Sequence, residues 1–304
     1  MLKNFAEMAE MVRSNPVKKR IVLACAHCEH SLEAVSNAVK EAVKEGIVEA
    51  ILVGKEDMIR EIIKEHGLAL EDATIYNADD DVEIAKIAVR LINEGKGDFL
   101  MKGKMQTSDL LKQVVNKETG LNMGKVMSHV GLFEVPNYHK LVVLTDGGML
   151  LHPTLEQKAQ IVENAVGALN NMGYENPKVA ALCAAEKLNE KAPESVDAAA
   201  LKEMNEKGEI KDCVIEGPIS YDIALSKEIA DFKGFESPVA GDADVLLVPD
   251  MAAGNFIGKS WVIQGGGRMT GLVVGAKAPI VLTSRGSGAD EKFYSIVFAA
   301  AASK

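Results

Sequence analysis

Short, uniformly apolar runs alternate along this chain with stretches whose apolar residues recur every three or four positions. The runs Ile21–Cys25, Ala50–Val53, Ala73–Tyr76, Phe99–Met101 and Leu141–Leu144 read as strands. Val179–Cys183, Cys213–Glu216, Val245–Val248 and Ile280–Leu282 read the same way. Runs without polar alternation suit strands covered on both faces. Between the first two, SLEAVSNAVKEAVKEG places Leu32, Val35, Val39 and Val43 on one stripe, with Ser31 as N-cap and Gly46 past the end. A second helix starts at Thr154, whose capping box closes with Gln157, and carries Ile161, Val162, Val166 and Leu169 towards Gly173. Phe5, Met8, Met11 and Val12 have the spacing of an amphipathic helix, and Glu291–Ala301 is a helix with Phe293, Ile296, Val297 and Ala300 on one face. Strand, helix and strand repeated in this way predict an α/β fold with largely parallel sheets and right-handed crossovers.

The 304 residues favour two domains, and 47% hydrophobic residues suffice for two cores. No Pro- or Ser-rich linker separates them, so the expectation is two domains joined by crossing elements, with a cleft between. A formal charge of −10 argues against nucleic acid as partner, because phosphate backbones are bound by basic faces. No apolar run approaches the roughly 20 residues of a membrane helix. The first residues lack the order of a secretory signal, and four cysteines are too few for a disulfide framework, so the cytoplasm is the expected compartment.

Candidate chemistry gathers where strands end and helices begin, the edge on which such folds bind ligands. MKGKMQTSDLL offers Lys102, Gly103, Lys104, Gln106 and Thr107, which suit an anion site or a solvated turn capped by Thr107. DMAAGN places Gly254 and Asn255 for close approach to a ligand, or for a plain helix start. QGGGRMTG is glycine-dense but follows no strand, so a dinucleotide reading is weak. Cys25-Ala-His-Cys28 stands where a thiol–disulfide redox pair would, and His27 and His30 add metal-ligand types. No second ligand pair follows at finger-like spacing, so no metal is expected. Cys183 and Cys213 read as buried thiols. VLTSRGSGAD presents Ser284, Arg285 and Gly286 at the head of the last helix, where a guanidinium fork and free amides make a phosphate site. Ser287 and Asp290 fit a capping box, which would make Asp290 structural.

Several segments together resemble the phosphate acetyl/butyryltransferase family, the butyryl branch more than the acetyl: VAGDADVLLVPDMAAGN, GLVVGAKAPIVLTSRG, EGPISYDIAL and MSHVGLFEVP. The resemblance runs from EAILVG to the last helix. It implies two α/β domains with largely parallel sheets flanking a cleft, an architecture like that of isocitrate and isopropylmalate dehydrogenases. Domain I would comprise residues 1–122 and 276–304, and domain II residues 123–275. It implies the reversible reaction of acyl-CoA with inorganic phosphate, butanoyl favoured and acetyl as the alternative, by a homodimer or higher homo-oligomer without metal or further cofactor. By position, Ser284 and Arg285 match the family's Ser-Arg pair beside the thioester and phosphate. Glu291 stands where acetyl-type members place a catalytic aspartate, with Asp290 the neighbouring candidate. Lys102, Gly103, Thr107, Ser128, Gly254, Asn255 and Gly286 are the expected CoA and phosphate contacts. Two other readings compete: a thiol–disulfide oxidoreductase using Cys25 and Cys28, and a metal-dependent decarboxylating dehydrogenase, whose aspartate cluster the chain does not supply.

Overall fold

The computed structural model describes residues 1–27, 46–68, 70, 73–283 and 287–304. The expected helix after Ser31, together with Cys28, His30, Ser284, Arg285 and Gly286, lies outside the described residues. The chain forms two compact units: residues 5–125 with 270–304, and residues 1–4 with 126–269.

In the first unit the elements are α1 (Phe5–Ser14), β1 (Lys19–Ala24), β2 (Val48–Gly54), α2 (Glu56–Glu65), β3 (Thr74–Asn77), α3 (Asp81–Asn93), β4 (Phe99–Lys102) and α4 (Thr107–Val114). After the second unit the chain returns with β10 (Arg268–Val274), β11 (Ile280–Val281) and α10 (Ala289–Ala302). The strand order is β3-β2-β1-β4-β11-β10. All neighbours are parallel except β11 and β10, which are antiparallel. Because β2 and β4 flank β1 on opposite sides, the connections diverge there, and the carboxyl ends of β1 and β4 form a topological switch point. The outgoing and returning chain run side by side, with Asn122 bridged to Ala276 and Lys277 N–H donating to Leu121 O at 2.9 Å.

The second unit holds β5 (Ser128–Glu134), β6 (Val142–Thr145), α5 (Leu155–Asn171), β7 (Lys178–Leu182), α6 (Pro193–Glu206) and β8 (Val214–Ile219). It continues with α7 (Tyr221–Leu225), α8 (Lys227–Phe232), β9 (Val245–Leu247) and α9 (Met251–Ile263). The order is β5-β6-β9-β7-β8, with β5 antiparallel to β6 and the rest parallel. Its core includes Phe133, whose ring meets Trp261 edge-on at 5.0 Å. The α5 start is the capping box that Thr154 and Gln157 promise, and Gly173 follows its end at φ +86°.

Every expected strand is present, with ends shifted by up to three residues. Two strands escaped the pattern, β5 and β10, and both are the antiparallel members. Each carries a glycine in its middle, Gly131 and Gly271, which breaks an apolar run and weakens the local signal. Gly131 has a packing reason: a Cβ there would lie 2.9 Å from the Phe133 ring and 3.3 Å from the His129 ring. Helix α10 also differs from expectation. Beyond its predicted stripe, Phe298, Ala299, Ala301 and Ala302 are buried as well, so the helix is enclosed on most sides and leans on α1 through Phe5 and Tyr294.

At the amino ends of β6, β7 and β9 lies a buried ion cluster. Lys140 donates to Asp244 at 2.6 Å and to Asp242 at 2.8 Å. Asp242 also accepts from His139 and Lys178, and Asp244 accepts the Lys178 backbone N–H. The cluster ties three strand starts together on the edge away from the candidate chemistry.

Candidate functional site

In the first unit, β1 and β4 run in register with Ala24 beside Lys102. Gly103 follows β4 and donates its N–H to Ala24 O at 2.7 Å. A Cβ on Gly103 would stand 2.4 Å from Cys25 O and 2.7 Å from Ala24 O, so the two strand ends touch backbone to backbone. Gly103→Ala is therefore expected to destabilise the fold by about 1–3 kcal/mol, as overpacking does. A urea titration of the variant checks this, and an unchanged midpoint refutes it. The Lys102 ammonium curls over its own turn and donates to Gly103 O at 3.0 Å and Met105 O at 3.2 Å. Thr107 is exposed, but it is the first residue of α4 and not its cap. Gln106 holds the cap position without a side-chain bond, so the expected Thr cap does not form.

Cys25 comes one residue after β1, in the left-handed region at φ +63°, and is buried. Its thiol donates to Lys104 O at 3.3 Å. His27 is buried, and its Nδ1 accepts the Lys55 backbone N–H at 3.1 Å. Burial and the nearby Lys55 ammonium hold its imidazole below the usual histidine range. A neutral ring with Nδ1 engaged by the backbone belongs to the loop's own structure. Cys183 and Cys213 are buried, and burial with the Asp212 charge pushes the Cys213 thiol up to about 11. Among the described residues no group of three or more His, Cys, Asp or Glu is arranged to hold a metal ion.

Helix α10 begins at Ala289, two residues earlier than its pattern suggests, with Gly288 as N-cap. The Ser287 hydroxyl donates to Glu291 Oε1 at 2.6 Å, and extended backbone at Gly288 opens the helix. Glu291 is thus the third helical residue, half-buried, while Asp290 is exposed. Both carboxylates sit in the first turn, where the helix dipole favours negative charge.

In the second unit, Ser128 opens β5, is fully buried, and accepts from Asn164 Nδ2 at 3.0 Å. Its hydroxyl is sealed into the fold, which does not suit the ligand contact expected of it. Asp250 caps α9 by accepting from Ala253 N–H at 2.9 Å. Gly254 lies in the next turn, where a Cβ would come within 2.8 Å of Gly147 Cα. The close approach that this glycine permits is between two backbones. Asn255 beside it is half-buried. The start of β5 and the loop after β6 supply two residues that the sequence did not single out, His129 and Asp146. Asp146 is 2% exposed and its Oδ1 accepts the N–H groups of Gly148 and Met149, both at 2.8 Å. Recognising β5 as a strand would have paired them.

The family model described as phosphate acetyl/butaryl transferase matches residues 81–300. A phosphate butyryltransferase of Clostridium acetobutylicum is 42% identical over 300 residues, covering 99% of this chain and 98% of that protein. The chain belongs to the phosphate acetyl/butyryl transferase family. A phosphate acetyltransferase of Thermotoga maritima is 39% identical over 294 residues, 97% of this chain and 98% of its own. The crystal structure of a branched-chain phosphotransacylase from Enterococcus faecalis V583 superposes with a TM-score of 0.79 at 30% identity, over 93% of this chain and 98% of that one. Within the family, then, relatives that are 30–42% identical carry acetyl, butyryl and branched-chain names. Among the described residues of this member, no helix is long and apolar enough to cross a membrane.

Proposed function

We propose that the chain is a phosphate acyltransferase that moves a short acyl group reversibly between CoA and inorganic phosphate, with butanoyl the preferred group. The observation that supports this most directly is 42% identity, over 99% of the chain, to a phosphate butyryltransferase. The chemistry sets three tasks. Phosphate must be held in line with the thioester carbonyl, the oxyanion stabilised, and the departing thiolate protonated. Arg285 suits the first with a planar, bidentate fork, and Ser284 suits hydrogen-bond donation, with Gly286 a further proposed contact. A carboxyl at the start of α10, Glu291 or its neighbour Asp290, serves the departing sulfur. Lys102, Gly103, Thr107 and Asn255 are the proposed substrate contacts, with Gly254 setting the backbone beside Asn255. Ser128 is left out because its hydroxyl is buried on Asn164. The same reading makes the enzyme a cytoplasmic homodimer or higher homo-oligomer, with CoA and phosphate as substrates and no metal.

The test is CoA release from acetyl-, propanoyl-, butanoyl- and branched acyl-CoA, with and without phosphate. We expect release that requires phosphate, forms hydroxylamine-reactive acyl phosphate, and is fastest for butanoyl. Double-reciprocal plots should intersect, since direct attack needs both substrates bound together. Phosphate-independent release would overturn the reaction, and an acetyl optimum would overturn the chain-length assignment.

A further inference from the structure

Strands β5 and β6 pair Phe133 with Val142, Leu132 with Val143 and Gly131 with Leu144. Continued by two residues, that register sets His129 opposite Asp146, and Thr145 Oγ1 donates to His129 O at 2.8 Å where the strands part. Two polar atoms here are sealed from solvent and lack a hydrogen-bond partner: His129 Nδ1 and Asp146 Oδ2. Asp146 is not loose, because two backbone amides hold its other oxygen. The His129 ring lies against Gly148, where a Cβ would stand 3.2 Å from its Cγ and 3.5 Å from its Nδ1. The residue keeps part of its surface exposed although Nδ1 is buried, which leaves Nε2 as the outward nitrogen.

The pair stands at the carboxyl end of β6, which runs parallel to β9. Its loop touches the first turns of α9 at Gly254 and Asn255. That is the edge on which α/β sheets bind ligands. Buried polar groups without partners destabilise a fold and persist where chemistry uses them. A carboxylate whose charge acts on the ring favours the tautomer with the proton on Nδ1 when it engages that nitrogen, leaves Nε2 as base, and stabilises the imidazolium once formed. Catalytic hydrogen bonds of this kind are often slack before substrate binds.

We propose that His129 is the general base of the acyl transfer and that Asp146 is its positioning residue. This rests on the phosphate acyltransferase reading. A phosphate oxygen attacks the thioester carbon, and its O–H proton passes to His129 Nε2 as the C–O bond forms. The C–S bond then breaks with its electron pair on sulfur, which takes a proton from solvent. The imidazolium returns its proton to solvent, and no electron is gained or lost.

Burial holds the His129 ring below the usual histidine range, against the pull of the Asp146 charge. The base is therefore neutral at pH 7, and among the described residues Asp146 is the charge that acts on it. The experiment is the pH profile of kcat for the full chain, its His129→Gln and Asp146→Asn variants, and ¹⁵N NMR of the His129 ring. We expect His129→Gln to lower kcat about 100-fold, to flatten the acid limb, and to change KM little. Asp146→Asn should move that limb to lower pH, because the imidazolium loses its anion. The NMR should find the ring proton on Nδ1. A transferring wild type whose kcat and acid limb survive both substitutions overturns the base and leaves the reaction standing, as does a ring proton on Nε2. A folded wild type that transfers no acyl group to phosphate overturns the reaction itself.

Discussion

Arg285→Ala is expected to lower kcat/KM for phosphate by about two orders of magnitude, roughly 3 kcal/mol of transition-state stabilisation, with an unchanged melting curve. The reasoning starts from the chain's acidity. A protein of formal charge −10 repels phosphate at long range, so capture relies on a local cation and directed donors. In the proposed site Arg285 is to supply both, since a planar guanidinium fork can match two phosphate oxygens at once. Arg285→Lys keeps the charge and loses the fork, so it should fall between alanine and wild type. Ser284→Ala should cost less than either, since it removes one hydroxyl and leaves the amides. Initial rates across a phosphate series check all three. Normal turnover by Arg285→Ala at low phosphate refutes the phosphate assignment.

Lys140→Met is expected to destabilise the fold by about 3–5 kcal/mol, the range for breaking a buried ion pair by removing one partner. Lys140 is 2% exposed and Asp244 is 4% exposed, so the substitution leaves a carboxylate buried without its cation. Lys140→Met combined with Asp244→Asn should recover part of the loss, because the stranded charge is gone. The cluster also has a pH signature. Burial alone would raise the Asp242 carboxyl, but hydrogen bonds from Lys140, Lys178 and His139 outweigh it and hold the group well below the ordinary range. A carboxyl lowered in the folded state adds stability above its unfolded pKa of about 4, and that stability is lost as pH falls towards the folded value. Urea midpoints measured from pH 6 to pH 3 should fall steeply for wild type and less steeply for Lys140→Met. A Lys140→Met midpoint equal to wild type refutes the prediction.

The sequence by itself determined which segments become strands and helices wherever the signal is local. Thr154 and Gln157 close a box because both lie within one turn, and nothing beyond that turn is needed. The apolar runs within β1, β6, β7 and β9 announce themselves because burial on both faces demands it of their side chains. Motif residues such as Ser284, Arg285, Gly254 and Asn255 were legible by resemblance, and the family follows from them. Other features exist only once distant segments meet. Strands β5 and β10 carry a glycine mid-run, and what makes them strands is a neighbour's unpaired backbone. Ser287 fits a cap by spacing, but that its hydroxyl donates to Glu291 and that Gly288 opens the helix are decided by geometry within the turn. Gly254 reads as room for a ligand until Gly147 is found against it. His129 and Asp146 are 17 positions apart and share no motif, and only the packing of β5 on β6 brings the Asp146 charge to bear on the His129 ring. Local preference acts over three or four residues, whereas register, burial and the pairing of polar atoms are properties of packed surfaces. That is why the elements and the family could be read from the chain, and the partners of its polar groups could not.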